Sequence, residues 1–195
     1  MNVSTTTPFT LLAQWEFEDD LTDSVGIYHG FMDTAAVYVT GYVNKALVAN
    51  GSQYVDVTTP FLNLTSRSFT VEAWIFVFSL SWWPDHGILA QCESFTTGRC
   101  LHFMIRSNRL YMGFFSDDLT GSTDVPVNVW THVAFMYDFS TNTKSIYMNG
   151  ILDGVTTVGS HYKGISGHTY IGHGVLAGPV TAFPGYIDKV SHSLR

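Results

Sequence analysis

Apolar and polar residues alternate along most of this chain. In the stretch from Ser68 to Phe78, one side carries Phe69, Val71, Ala73, Ile75 and Val77. The other carries Thr70, Glu72, Trp74, Phe76 and Phe78. The repeat is two residues rather than 3.6, and β-branched and aromatic residues dominate, so the segment reads as a strand. One side is apolar throughout and both are from the midpoint on, which puts it near the middle of a packed sheet. Leu11 to Glu18 alternates in the same way, with Leu11, Ala13, Trp15 and Phe17 on one side. Residues 28–31, 36–40, 45–48, 53–57, 87–91, 99–106, 109–115, 129–138, 144–148, 169–172 and 185–191 are further strand candidates. Asn50-Gly51 and Asn149-Gly150 mark tight turns. Residues 116–126, with Asp117, Asp118 and Asp124, read as a polar loop. No segment carries a long amphipathic helical pattern. Many short strands with frequent turn signals predict an all-β, two-sheet antiparallel sandwich, preceded by a polar linker over residues 1–9 and filling 10–195 as one domain.

Composition narrows the partners. Of 195 residues only 13% are charged, and the net charge is −7. Nucleic acid and anionic membrane surfaces call for clustered Lys and Arg, so both are excluded as expected partners. No apolar run reaches the roughly 18 to 20 residues that a membrane span needs, so membrane insertion is not expected. Met1 to Pro8 lacks the basic start and apolar core of a secretion signal, and the chain is expected to be a domain of a larger protein. Cys92 and Cys100 flank a Gly-containing stretch that fits a hairpin loop. They are either two separate thiols or a disulfide closing the loop, worth roughly 2.5 kcal/mol in the chain-entropy account. Asn2, Asn50 and Asn63 each begin an Asn-x-Ser/Thr glycosylation sequon. The bridge and the sequons together point to an oxidising, extracellular setting, secreted or on a cell-surface protein.

The motifs also occur in a familiar order. Trp15-x-Phe17 is followed by Asp23-Ser24-x-Gly26, His29-Gly30 and Gly51-x-x-Tyr54-Val55. Next come Ser68 to Ile75, Trp130-Thr-His-Val-Ala134 with Tyr137-Asp138, and Ile146 to Gly150. Ile171-Gly172 and Phe183-x-Gly185-x-Ile187-Asp188-x-Val190 complete it. This order resembles the laminin-G-like, concanavalin A-like jelly-roll family over nearly the whole chain from residue 11. The resemblance implies two antiparallel sheets with the first and last strands adjacent. It also implies a carbohydrate-binding or adhesion role in extracellular proteins, often with a structural calcium ion. The fold itself hosts many functions.

Several residues could carry chemistry. With the first and last strands adjacent, Glu18 and Asp188 would sit at one edge of the sandwich, and Asp23 could complete a calcium site with them. Glu16 and Glu18 would share a strand side, as the carboxylates of a retaining glycosidase do, but the flanking residues depart from that motif. No histidine pair has zinc-site spacing. Trp15, Trp74 and Trp130 fall at core positions of the family pattern. Trp82 and Trp83 sit in a loop with Pro84, Asp85 and His86; either one or both indoles fold over the end of the sandwich and cap the core, or an exposed indole stacks on a sugar while Asp85 or His86 orients its hydroxyls. The expected function is a non-catalytic, lectin-like module for a glycan. A protein–protein adhesion module is the alternative, and a glycoside hydrolase a more distant one.

Overall fold

The computed structural model describes residues 10–50, 53–80, 85–157, 159–174 and 181–194. Its strands, in chain order, are β1 (Thr10–Trp15), β2 (Tyr38–Thr40), β3 (Lys45–Asn50), β4 (Val55–Val57), β5 (Phe69–Val77), β6 (His86–Cys92), β7 (Cys100–Arg106) and β8 (Arg109–Gly113). They continue with β9 (Asp118–Asp124), β10 (Trp130–Asp138), β11 (Thr143–Met148), β12 (Ile151–Thr157), β13 (His168–Ile171), β14 (His173–Gly174), β15 (Thr181–Ala182) and β16 (Pro184–Leu194). There is no helix among the described residues.

The strands form two large antiparallel sheets, and β14 and β15 pair as a small third. The larger runs β12-β11-β10-β5-β16-β3-β2, and the smaller runs β4-β13-β6-β7-β8-β9. The last strand organises the larger sheet. One edge of β16 pairs with β5, while the other pairs with β3 through Pro184 to Ile187 and with β1 through Val190 to Leu194. First and last strands are thus neighbours, and β5 lies in the middle as its two apolar sides require.

The inward positions of β5 meet those of the smaller sheet. Phe69, Val71, Ala73, Ile75 and Val77 pack with Leu89, Phe103, Ile105, Leu110, Met112 and Phe135 in one core. Trp15 is fully buried, and its indole N–H donates to the Tyr28 carbonyl at 2.8 Å, so its one polar group is satisfied. Cys92 and Cys100 pair across β6 and β7 and are joined by a disulfide.

Three expectations change. The first strand stops at Trp15 rather than Glu18, because Phe17 turns the chain with φ 59° to bury its ring. Strand alternation therefore no longer places Glu16 and Glu18 on one side. Residues 118–124, expected as a loop, form β9, a sheet edge whose exposed positions account for its polar sequence. Tyr28 to Phe31 contributes only an isolated bridge, from Phe31 to Asp56. Residues 1–9, with Asn2, lie outside the described residues. Asn63 is exposed, and Asn50 ends β3 opposite Pro184.

Candidate functional site

The pairing of the smaller sheet sets one row of residues across its outer face. From β4 to β9 the row is Asp56, Tyr170, Ala90, His102, Gly113 and Asp118. Met104, Tyr111 and Thr120 form the next. Although these positions point away from the core, His102 is only 2% exposed and Met104 not at all. Part of the cover is visible. Gly87 lies beside Met104, and a Cβ there would come 2.0 Å from the Gly174 nitrogen, so the β14–β15 hairpin rests directly on the face.

A polar network crosses this face. His102 Nε2 lies 3.2 Å from Asp118 Oδ1. A carboxylate oxygen only accepts, so Nε2 carries the proton. In the neutral ring Nδ1 then presents a lone pair, and it is buried without a hydrogen-bond partner. Gly113 leaves room for the pair, since a Cβ would come 1.8 Å from Asp118 Oδ1 and 2.3 Å from His102 Nε2. The Tyr111 ring stacks beside His102 at 5.7 Å and 13°. Burial, then its hydrogen bond to Asp118, pushes the Tyr111 phenol well above its ordinary value, so it remains a donor. Burial alone would raise the Asp118 carboxyl. Hydrogen bonds from His102 and Tyr111 outweigh it and hold Asp118 below the usual carboxylate range.

Arg106 joins this network to Asp85. Its Nε and one terminal nitrogen donate to the two Asp85 oxygens at 2.9 and 2.6 Å, and its guanidinium carbon sits 4.1 Å from the Tyr111 ring centre. Asp85 is 5% exposed, and its carboxylate is committed to Arg106 rather than held open in a loop as expected. His86 is also buried, with Nδ1 3.4 Å from the Ala182 carbonyl. Trp82 and Trp83 lie outside the described residues, but the segment that carries them runs directly into Asp85. Two of the three acids read as one polar loop belong to this outer face. Asp118 is in the network, and the exposed Asp124 pairs with Arg109 at 3.3 Å. Asp117 instead accepts from Ser160 N at 3.0 Å and from the buried Lys144.

The expected calcium ligands separate into two places. Asp188 Oδ2 accepts from Val43 N at 2.9 Å and Glu18 Oε2 from Lys45 N at 3.2 Å, so both carboxylates meet the turn between β2 and β3. Asp188 Oδ1 and Glu18 Oε1 are buried with no hydrogen-bond partner. Burial raises the Asp188 carboxyl above its usual range despite the backbone hydrogen bonds from Val43 and Tyr42, and the Glu18 charge adds to the rise. Two unmatched buried carboxylate oxygens fit a hard cation. Asp23 does not join them. Its Oδ1 accepts from Gln14 N and Val25 N and its Oδ2 from Tyr28 N, so it organises the loop after β1. No group of three or more His, Cys, Asp or Glu side chains among the described residues is arranged around a metal position.

The outer face of the larger sheet is aromatic. Trp74 and Trp130, expected in the core, point outward and are half-buried. Tyr42 stacks on Trp74 at 3.4 Å, and Trp130 and Tyr186 flank Phe76 at 5.6 Å each. Phe78 lies 4.7 Å from Tyr186 and is 39% exposed. Beside Trp74 a depression of about 170 Å³ is lined by Gln14, Glu72, His132, Lys189 and Ser191. His132 lies 3.5 Å from Glu72 there, and this contact, with one from Ser191, holds Glu72 below the usual range. The outward aromatic residues on β5 were legible as a second apolar side; that this side faces away from the core was not.

Solved structures repeat the architecture. Domain 4 of AbnA, a GH43 extracellular arabinanase from Geobacillus stearothermophilus, in complex with arabinotriose, superposes with a TM-score of 0.76. It shares 20% identity over 95% of this chain and 93% of that one. The binding domain of botulinum neurotoxin DC in complex with rat synaptotagmin II gives 0.64 at 16% identity, over 94% of this chain and 47% of that one. The Ruminococcus gnavus IT-sialidase CBM40 bound to alpha2,3 sialyllactose gives 0.54 at 18% identity, over 66% of this chain and 76% of that one. No curated relative matches the sequence. The family model Laminin_G_3, described as the concanavalin A-like lectin/glucanases superfamily, matches residues 49–193. With that match over most of its length and two antiparallel sheets in place, the chain belongs to the concanavalin A-like lectin/glucanase superfamily.

Proposed function

We propose that the chain is a non-catalytic glycan-binding module of a secreted or cell-surface protein, with its ligand on the outer face of the smaller sheet. The observation that carries this reading is His102 Nδ1, a buried ring nitrogen without a partner on an outward position. A sugar hydroxyl would satisfy it. Tyr170, across Ala90 from His102, is half-buried and offers a ring to the apolar face of a sugar, while Tyr111, covered by Arg106 and stacked on His102, fixes the histidine. The network is already ordered by its own hydrogen bonds, which lowers the entropy cost of binding. The arabinotriose and sialyllactose complexes of the similar domains support a saccharide ligand. Glycoside hydrolysis uses a carboxylic acid held protonated, whereas Asp118 is held ionised and both Asp85 oxygens are engaged, which favours binding over catalysis. The disulfide favours the extracellular setting.

A glycan array followed by titration calorimetry tests the reading. His102→Ala and Tyr111→Ala should weaken the best ligand at least tenfold, about 1.4 kcal/mol, with folding intact by circular dichroism. Unchanged affinity in both variants, or no bound glycan, overturns it.

The aromatic face supports the adhesion reading as a second possibility for the same module. Phe76, Phe78, Trp130 and Tyr186, continued by the exposed Val127 and Val129, make the kind of apolar surface that partners cover. The synaptotagmin complex of the similar toxin domain is in keeping with a protein partner. Either ligand fits a structural calcium ion held by Glu18, Asp188 and backbone oxygens. Its charge would neutralise two buried carboxylates and tie the segment after β1 to the last strand.

A further inference from the structure

We infer that the outer face of the smaller sheet selects neutral saccharides and rejects those bearing carboxylate or sulfate groups. The inference rests on the glycan reading of that face and specifies its ligand. Both guanidiniums of the face are already matched. Arg106 is held by both oxygens of Asp85, and Arg109 pairs with Asp124. Asp118 sits between His102 and Tyr111, and Asp56 pairs with His168 at 2.8 Å at the far end of the row. The side chains that cross the face therefore bring four carboxylates, from Asp56, Asp85, Asp118 and Asp124, against two guanidiniums.

An anionic sugar needs a positive group free to meet it. Here its charge would instead approach the half-buried side chain of Asp118 and the buried Asp85, where like charges are less screened than in open solvent. The unpartnered group, His102 Nδ1, is a single ring nitrogen whose ring is already bonded to the Asp118 carboxylate, so it adds no free cation to the face and is matched by one hydroxyl. A neutral, hydroxyl-rich saccharide meets both conditions.

The test is an array of matched neutral and anionic glycans, followed by calorimetry on the best neutral ligand and its acidic counterpart; lactose and alpha2,3 sialyllactose are one such pair. The wild-type chain should bind neutral members at least tenfold more tightly. Raising NaCl from 0.15 to 0.5 M should leave that affinity within twofold. Asp85→Asn, which strips the counter-charge from Arg106, should narrow the preference at least tenfold. If that variant does not fold, Asp118→Asn should narrow it in the same direction, because it removes a carboxylate and leaves the Arg106 pair in place. A wild-type preference for anionic members, or a preference unmoved in the folded variant, overturns the inference and leaves glycan binding standing. An array on which nothing binds overturns the glycan reading and the inference with it.

Discussion

Along β5 the outward positions are Thr70, Glu72, Trp74 and Phe76, whereas along β7 they are His102, Met104 and Arg106. Both strands lie inside their sheets, and both send alternate residues away from the same core. On the larger sheet the last two are rings that pack against Tyr42, Trp130 and Tyr186 and remain half open to water. On the smaller sheet His102 and Met104 are sealed and Arg106 is a third exposed, and the two polar ones each find a carboxylate from a neighbouring strand or loop. An aromatic cluster tolerates partial exposure, because an uncovered ring edge forfeits only some apolar burial. A sealed charge does not, so Asp85, Arg106, Asp118 and Tyr111 come as a set. His102 Nδ1 leaves that set incomplete, and an unfinished polar network is a sharper reason to propose a ligand there than an exposed ring would be.

The strongest perturbation expected is acid, and it locates the weakness in neither face. His192 on β16 is fully buried against Trp15, with both ring nitrogens unpartnered, and burial lowers its pKa to about 3. A histidine whose folded pKa lies below its unfolded value contributes fully above about pH 6.5 and loses that contribution as pH falls. The slope approaches 1.4 kcal/mol per unit, or about 3 kcal/mol by pH 4. His173, lowered by burial as well, acts in the same direction. Asp118 acts only lower, since a depressed carboxylate keeps its contribution until pH falls below its ordinary value of 3.8. Urea unfolding from pH 7 to 4 should therefore show a steep loss that His192→Leu removes in large part. A loss unchanged in that variant would move the acid sensitivity to the outer faces.

Nearly as large is the effect of Asp85→Ala. Removing one partner of a buried pair costs about 3 to 5 kcal/mol, and the lower end applies because the Arg106 side chain is 34% exposed. Thermal unfolding with a loss under about 1 kcal/mol would mean that the pair is solvated and the face less sealed than its burial indicates.

Sequence patterning carried the architecture further than the site. Alternation in Phe69–Val77 found the central strand, and the motif order found the adjacency of β1 and β16. The family pattern put Trp74 and Trp130 in the core, and alternation along β5 did not correct it for Trp74, because it assigns residues to sides without saying which side is inner once both are apolar. It left Arg106 and Tyr111 unnoticed because nothing local distinguishes them. They matter through register, which brings β7 and β8 together and aims both at an aspartate from elsewhere in the chain. Asp85 and Asp118 were each noticed, as members of two unconnected loops. Asp23 was assigned to calcium from its neighbourhood, whereas its oxygens are filled by three backbone N–H groups that only the folded loop supplies.

Calcium sharpens the comparison from the larger sheet, since Asp188 lies across from Trp74 and receives the backbone of Tyr42 and Val43. At a hundredfold excess over its dissociation constant the ion would add about 2.7 kcal/mol. Adding calcium to metal-free protein should raise the melting temperature, and Asp188→Ala should abolish the rise. A melting curve indifferent to both calcium and chelator would leave Glu18 and Asp188 as a strained carboxylate pair without a cation.

The smallest effect decides what the aromatic face is. Trp130 is flanked by Phe76 and lies within 6.5 Å of Tyr186 and Tyr42, yet part of its indole is open to water. Truncating a fully buried aromatic costs about 3 to 5 kcal/mol, because the transfer term and the cavity add. Truncating a half-open one gives up only part of the first and little of the second, so Trp130→Ala should cost about 1 to 2 kcal/mol. Glycan affinity should not change, because Trp130 belongs to the larger sheet and the network to the smaller. Capture of a protein partner, if the adhesion reading holds, should fall by at least tenfold, since aromatic anchors dominate such contacts. Equilibrium unfolding and calorimetry on the one variant separate the outcomes. A stability loss above 3 kcal/mol would make the face a second core that happens to lie outside the sandwich. A loss of glycan affinity with stability kept would move the sugar onto the larger sheet, beside Trp74 and the depression lined by Glu72 and His132, and leave the polar network of the smaller sheet as structure.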